Sequence, residues 1–301
     1  ERIMKRRTFS LAAGATALGA LGLSACGGTN EAERGPGDEV IVTFWHSMRG
    51  NNAEQLESYV EEFNDSQDEI LVQASFQGMY DEAQTKLMQL LGTDDAPTIQ
   101  QLPGTSSREL VDSGAIAPMQ DFIDENGFDL EALQPNIVEA YTVDGVLYAM
   151  PQAASGPLLF YNRELFEEAG LDPDSPPATF SEVREVAQTL VDAGLVENGL
   201  ALRTDGGALT ELLSNQGELL YDNDNGRSAP AENAVFNSER GVEVMTWIAD
   251  LHEDGLVGNF GRTHDDMRTP WYAQDVAMVL DTSAATIIHH DTAEFEVGAG
   301  Y

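Results

Sequence analysis

The sequence predicts an α/β protein of two lobes, each built on a mostly parallel, doubly wound sheet. Three observations predict it. Strand and helix patterns alternate from residue 40 to residue 112, the order that gives parallel strands joined by right-handed crossovers. A stretch of small residues and prolines, Pro151 to Pro157, separates this run from a second run of the same type. Val276 to Leu280 is apolar at every position, as a central strand covered on both faces must be. A length of 301 residues, 42 % of them hydrophobic, suits two domains rather than one.

The elements follow in order. Val40 to Trp45 is a β-branched and aromatic run and reads as a strand. His46 to Asn52 is a loop. Leu56, Tyr59, Val60 and Phe63 then recur at helical spacing, and Asn64 closes that helix. Ile70 to Phe76 is a second strand, and Asp81 to Leu91 a helix with Gly92 just past its end. Thr98 to Leu102 is a third strand, followed by a helix over Ser106 to Asp112. Val143-Asp144-Gly145-Val146 is a hairpin signal. After the Pro151–Pro157 connector, Leu158 to Tyr161 opens the second run, and Asn162 to Ala169 is a helix ending near Gly170. Thr179-Phe180-Ser181-Glu182 is a capping box that starts a helix containing Val183, Val186, Ala187 and Leu190. Asn237 to Glu253 is a helix built on Val242, Met245, Ile248 and Leu251. Val276 to Leu280 is the buried strand, Ser283 to His290 a helix, and Phe295 to Gly298 a short strand. The sequence stops at Tyr301, just after that strand, and the C-terminal lobe reads as incomplete.

Charge excludes whole classes of function. The chain carries 52 acidic against 15 basic residues, a formal net charge of −37. It cannot build the basic face that phosphate backbones require, so nucleic acid is not its partner. One cysteine rules out an internal disulfide and any multi-thiolate metal site. His289 and His290 are adjacent and cannot share one helix face, so no metal is expected there, nor any cofactor. Past residue 25 a single lysine, Lys86, remains. Such an acidic surface suits an environment in which salt screens its self-repulsion.

The first 25 residues read as an export signal. Lys5, Arg6 and Arg7 precede Thr8 to Ser24, a stretch without charge that is short for a membrane span. Arg6-Arg7-Thr8-Phe9-Ser10-Leu11 resembles the twin-arginine export signal, and Leu23-Ser24-Ala25-Cys26 resembles the lipobox of exported lipoproteins. The resemblance implies cleavage before Cys26, whose thiol then carries a lipid anchor on the cell surface or in the periplasm. Residues 26–38, rich in Gly, Asn, Glu and Pro, read as a flexible tether. Residues 39–152 and 153–301 are the N-terminal and C-terminal lobes.

Three further motifs carry a resemblance. The first is Phe44-Trp45-His46-Ser47-Met48-Arg49-Gly50. The second is Leu158-Leu159-Phe160-Tyr161-Asn162 with Leu165-Phe166, Ala169-Gly170-Leu171-Asp172-Pro173 and Pro176-Pro177-Ala178-Thr179-Phe180. The third is Val276-Ala277-Met278 followed by Ser283. In order and spacing they resemble the extracellular solute-binding proteins of sugar and glycerol-3-phosphate importers. The resemblance implies a periplasmic-binding-protein-like fold, with a small solute captured in the cleft between lobes and delivered unaltered to an ABC permease in the membrane by a monomer. It implies ligand contacts from Tyr80, Ser155 and Ser283, with Ser283 also placed to cap the helix after it. Trp45 and His46 end the first strand and are candidates for the cleft wall.

The sequence departs from that pattern at two places. Where the family has a glutamate after the third strand, Leu102-Pro103-Gly104-Thr105 stands, and Glu109 comes later. Where the glycerol-phosphate branch has second-lobe tryptophans, Leu202-Arg203-Thr204-Asp205-Gly206 stands, so that Arg203 becomes the candidate for a phosphate. The ligand is therefore open between glycerol-3-phosphate, a glycerophosphodiester and a sugar. Two other classes compete: a secreted polysaccharide-acting hydrolase, which needs two carboxylates facing across a cleft, and a surface adhesion or signalling protein. No nucleophile, phosphate-loop or zinc-protease motif is present in the sequence.

Overall fold

The computed structural model describes residues 33–104 and 107–300. The export signal, Cys26 and most of the tether lie outside the described residues. The chain falls into two compact units, the divisions coming at Met79/Tyr80, Ala96/Pro97 and Gln100/Gln101.

Among the described residues, the smaller unit is a three-stranded parallel sheet with one helix. β1 (Val40–His46) is central, β2 (Ile70–Phe76) lies on one side and β3 (Ile99–Gln100) on the other. β1 and β2 pair in register from Val40 with Ile70 to His46 with Phe76. α1 (Asn51–Asp65) is the crossover between them. Its inner face is Ala53, Leu56, Val60 and Asn64, with Leu56 buried, while Tyr59 and Phe63 are exposed. Asn64 does not end the helix. Its amide donates to the Val72 carbonyl at 3.0 Å and accepts from the Val72 N–H at 2.8 Å. A side chain thus occupies backbone groups on the outer edge of β2, where an unpaired strand would otherwise be open to another chain. β3 is also shorter than the five residues expected. At its start the Thr98 N–H goes to the Thr43 hydroxyl at 2.9 Å instead of a main-chain carbonyl, and only Phe44–Ile99 and Trp45–Gln100 pair.

The larger unit holds the remaining elements. α2 (Tyr80–Leu90), α3 (Ser107–Ser113), α4 (Met119–Asn126) and α5 (Pro135–Ala140) precede a hairpin of β4 (Thr142–Val143) and β5 (Val146–Leu147). That hairpin turns over Asp144 and Gly145, both at positive φ, as its sequence predicts. Next come β6 (Pro157–Asn162), α6 (Arg163–Glu168), α7 (Phe180–Asp192), β7 (Asn198–Ala201), α8 (Gly206–Asn215), α9 (Asp222–Asn225) and α10 (Glu239–Glu253). α11 (His264–Tyr272), β8 (Val276–Thr282), a 3-10 turn (Ser283–Ala285), α12 (Thr286–Thr292) and β9 (Val297–Gly300) complete it.

Its sheet has the order β7-β8-β6-β9. β7 runs parallel to β8, and β6 runs antiparallel to both β8 and β9. Three strands therefore share one direction and β6 alone is reversed, which hydrophobic periodicity does not encode. Both faces of the sheet are covered. Leu159 and Tyr161 of β6 enter one core with Ala187, Leu190, Leu213, Val244 and Leu251. Phe160 enters the other with Met267, Trp271, Val279 and Phe295. This alternation places successive strand residues on opposite faces.

α7 begins with the predicted capping box: Thr179 accepts from the Glu182 N–H, and Glu182 accepts from the Thr179 N–H. α10 differs from expectation. Its buried residues are Gly241, Val244, Trp247 and Leu251, while Val242 and Met245 are 56 % and 47 % exposed. The helix is turned by one residue because Gly241 sits directly against the Phe236 carbonyl, an approach that any Cβ would block.

Candidate functional site

In the larger unit, Ser283 is hydrogen-bonded to the residue after Ser155, another of the predicted contact residues. Pro157 of β6 pairs with Thr282 of β8, so the residues just outside both strand ends are adjacent. There the Ser283 N–H donates to the Gly156 carbonyl at 2.8 Å, and the Gly156 N–H donates to Ser283 Oγ at 3.3 Å. Ser155 is exposed and is the next residue along that crossing. Ser283 is not a cap: Thr282 caps the 3-10 turn, its hydroxyl accepting from the Ala284 N–H, and α12 starts after Ala285 without a side-chain cap. The Ser283 hydroxyl is left holding the 155–156 backbone, with a proton still to donate.

Beneath this turn lies a buried ionic cluster that the sequence reading missed. Asp281 is 2 % exposed. One carboxylate oxygen accepts from His264 Nδ1 and the Thr282 N–H, both at 2.7 Å. The other accepts from Arg268 Nε at 2.6 Å and from His289 Nε2 at 3.1 Å. Burial pushes this carboxyl up, but the hydrogen bonds from His264, His289 and Arg268 outweigh it and hold it far below the usual carboxylate range. His289 Nδ1 accepts from Trp271 Nε1 at 3.2 Å, which leaves the proton on Nε2, facing Asp281. The cluster ties α11 and α12 to β8 just before Ser283. The one sequence signal is an aspartate directly following an apolar run, where the predicted strand stops at Leu280, two residues short of the end of β8 at Thr282.

Tyr80 is the first residue of α2 and is half-buried. Burial, then the neighbouring Tyr141 phenol, raises its hydroxyl above the ordinary range, so it is a neutral donor and acceptor. Beside it on the helices, Gln84 donates to Glu109 at 2.8 Å.

Arg203 is already engaged. It donates to Asp205 at 2.9 Å and to both oxygens of Glu211 at 3.0 and 3.1 Å, with its side chain 9 % exposed. Two carboxylates surround one guanidinium, so an incoming phosphate meets a locally negative group. Asp205 also caps α8 by accepting from the Ala208 N–H. The Arg203 cluster braces the start of that helix.

In the smaller unit, His46 is the last residue of β1 and is 3 % exposed, its ring tilted between Phe44 and Phe76. Burial lowers its pKa, with Glu57 opposing, so the ring is neutral. Trp45 is half-buried and pairs with Gln100.

His264 pairs with Asp281, and Asp266 completes a capping box with Thr263. Among the described residues there is no group of three or more His, Cys, Asp or Glu that could hold a metal ion, and no helix long and apolar enough to cross a membrane.

A sequence profile described as bacterial extracellular solute-binding protein matches residues 49–299. The sn-glycerol-3-phosphate-binding periplasmic protein of Rhizobium meliloti (strain 1021) is 32 % identical over 229 residues, which are 74 % of this chain and 53 % of the relative. That of Brucella abortus (strain 2308) is 30 % identical over 247 residues, 80 % of this chain and 57 % of the relative. The chain thus spans about half the length of these curated relatives. Among solved structures, the cyclic alpha-maltosyl-1,6-maltose binding protein from Arthrobacter globiformis superposes with a TM-score of 0.68 at 26 % identity, over 87 % of this chain and 65 % of that one. UgpB from Mycobacterium tuberculosis in complex with glycerophosphocholine superposes with a TM-score of 0.72 at 21 % identity, over 86 % and 66 %, a likeness of fold.

Proposed function

This chain belongs to the bacterial extracellular solute-binding proteins, and from that premise we propose that it is the solute-binding part of an ABC importer. It captures a glycerol phosphate, a glycerophosphodiester or a sugar and passes it unaltered to a membrane permease. The observation that carries this is the family match across residues 49–299. The relatives are described as binding proteins, which supports capture without turnover over the hydrolase reading. The Ser155–Ser283 crossing and the neutral Tyr80 phenol support a site that offers hydroxyl donors and acceptors. The engagement of Arg203 by Asp205 and Glu211 weighs against that residue as a phosphate ligand.

The remaining parts of the proposal follow the sequence. Lobes 39–152 and 153–301 close over the solute, which favours the closed state by its differential affinity. The protein is exported by its twin-arginine-like signal, held at the membrane by a lipid on Cys26, and works as a monomer.

Tryptophan fluorescence of the full-length protein, titrated with glycerol-3-phosphate, glycerophosphocholine, maltose and trehalose, tests the function. A saturable change with at least one probe, recovered chemically intact, is expected. Hydrolysis of a probe, or no response to any of them, overturns it.

A further inference from the structure

Parallel sheets present their ligand-binding edge at the carboxyl ends of the strands. In the smaller unit two side chains at that edge carry buried polar atoms with no hydrogen-bond partner: Nδ1 of His46 at the end of β1, and both Oε1 and Nε2 of Gln100 at the end of β3. Gln100 is paired with Trp45 and shares its face of the sheet, whereas His46, the next residue along β1, turns to the opposite face. A buried amide with neither atom satisfied is costly, and a stable fold keeps such a group only for a reason. Packing does not supply one, because an apolar side chain of the same length would fill the space without the desolvation penalty.

Resting on the receptor reading above, we propose that Gln100 is a solute-recognising residue whose amide exchanges hydrogen bonds with hydroxyl groups of the ligand. The chemistry selects the class. Oε1 requires a donor and Nε2 an acceptor. Two neighbouring hydroxyls of a glycerol moiety or a sugar ring supply one of each, whereas an ionised phosphate only accepts and leaves Oε1 orphaned. Gln100 therefore reads the diol part of the solute, whatever group lies at its other end.

The test separates this role from packing, because the two predict opposite signs in the empty protein. Gln100→Met keeps the length of the side chain and removes both polar atoms. In the full-length, ligand-free protein it raises the melting temperature by about 2–4 °C, the shift expected when a penalty of this kind is relieved in a protein of this size. The same variant weakens binding of whichever of glycerol-3-phosphate, glycerophosphocholine, maltose or trehalose the wild type binds, by about tenfold or more. A fall in melting temperature overturns the inference, since the amide is then satisfied in the empty fold. Unchanged affinity overturns it as well. If the wild type binds none of the four, the receptor reading fails first and this inference goes with it.

Discussion

Replacing Asp281 with asparagine removes one negative charge from the middle of the cluster beneath Ser283. The carboxylate accepts from His264, Arg268, His289 and the Thr282 N–H. An asparagine oxygen can serve one pair of these donors. Its NH2 group then faces the other pair, donor against donor. The Arg268 side chain is only 16 % exposed, and its other carboxylate neighbour, Asp265, is exposed and 4.0 Å away, so its charge is left without a buried counter-ion. Breaking a buried pair by changing one partner costs about 3–5 kcal/mol, a large part of the ~5–15 kcal/mol that holds a typical domain together. Urea unfolding followed by tryptophan fluorescence measures it at pH 7, and Trp271 reports from within the cluster. The pH dependence gives a second signature. The folded-state pKa of Asp281 is depressed, so its contribution is fully present above the unfolded value of about 3.9 and is lost as pH falls below that value. The wild-type advantage over Asp281→Asn should therefore shrink between about pH 4 and pH 2. A difference under about 1 kcal/mol at pH 7, or one that persists unchanged at low pH, would refute the account of the cluster.

Four smaller perturbations follow from the same structure. At Gly199 an added Cβ would lie 2.5 Å from the Cα and Cβ of Ala187, which is fully buried, so Gly199→Ala should cost about 1–3 kcal/mol in chemical denaturation by pushing α7 off β7. Thr179→Ala deletes the capping-box hydroxyl of α7 and should cost about 1 kcal/mol in the same assay. The pKa of His46 is lowered by burial, so protonation favours the unfolded chain. Stability should fall as pH drops below about 6.5, and His46→Phe should lose less melting temperature than the wild type between pH 7.5 and 5.5. With 52 acidic residues against 15 basic, the melting temperature should rise as sodium chloride approaches molar concentration; indifference to salt would remove the inference of a saline environment.

Elements whose cause is local were legible. The Thr179–Glu182 capping box needs four consecutive residues, the Asp144-Gly145 turn needs two at positive φ, and Val276 to Leu280 needs only its unbroken apolar run. Each signal sits in the segment it specifies. Where a neighbour distant in sequence decides, the reading went astray. Val242 and Met245 look like a core stripe until the Phe236 carbonyl presses on Gly241 and turns α10. Asn64 looks like a helix terminator until the backbone of Val72 is found beside it. Ser283 looks like a cap until Thr282 takes the cap and leaves the Ser283 hydroxyl to Gly156.

The same division holds for the candidate site. Motif order and spacing along the chain gave the family, the α/β class and the serines at the β6–β8 crossing, since these are properties of one linear pattern. Arg203 could not be recognised as engaged without seeing Glu211 reach back to it from α8, and Asp281 could not be recognised as a hub without His264, Arg268 and His289 converging on it from two helices. Gln100 reads in the sequence as an ordinary polar residue. That its amide is buried without a partner depends on what surrounds it in space, because hydrogen-bond satisfaction belongs to the folded arrangement of donors and acceptors and not to the residue that carries them.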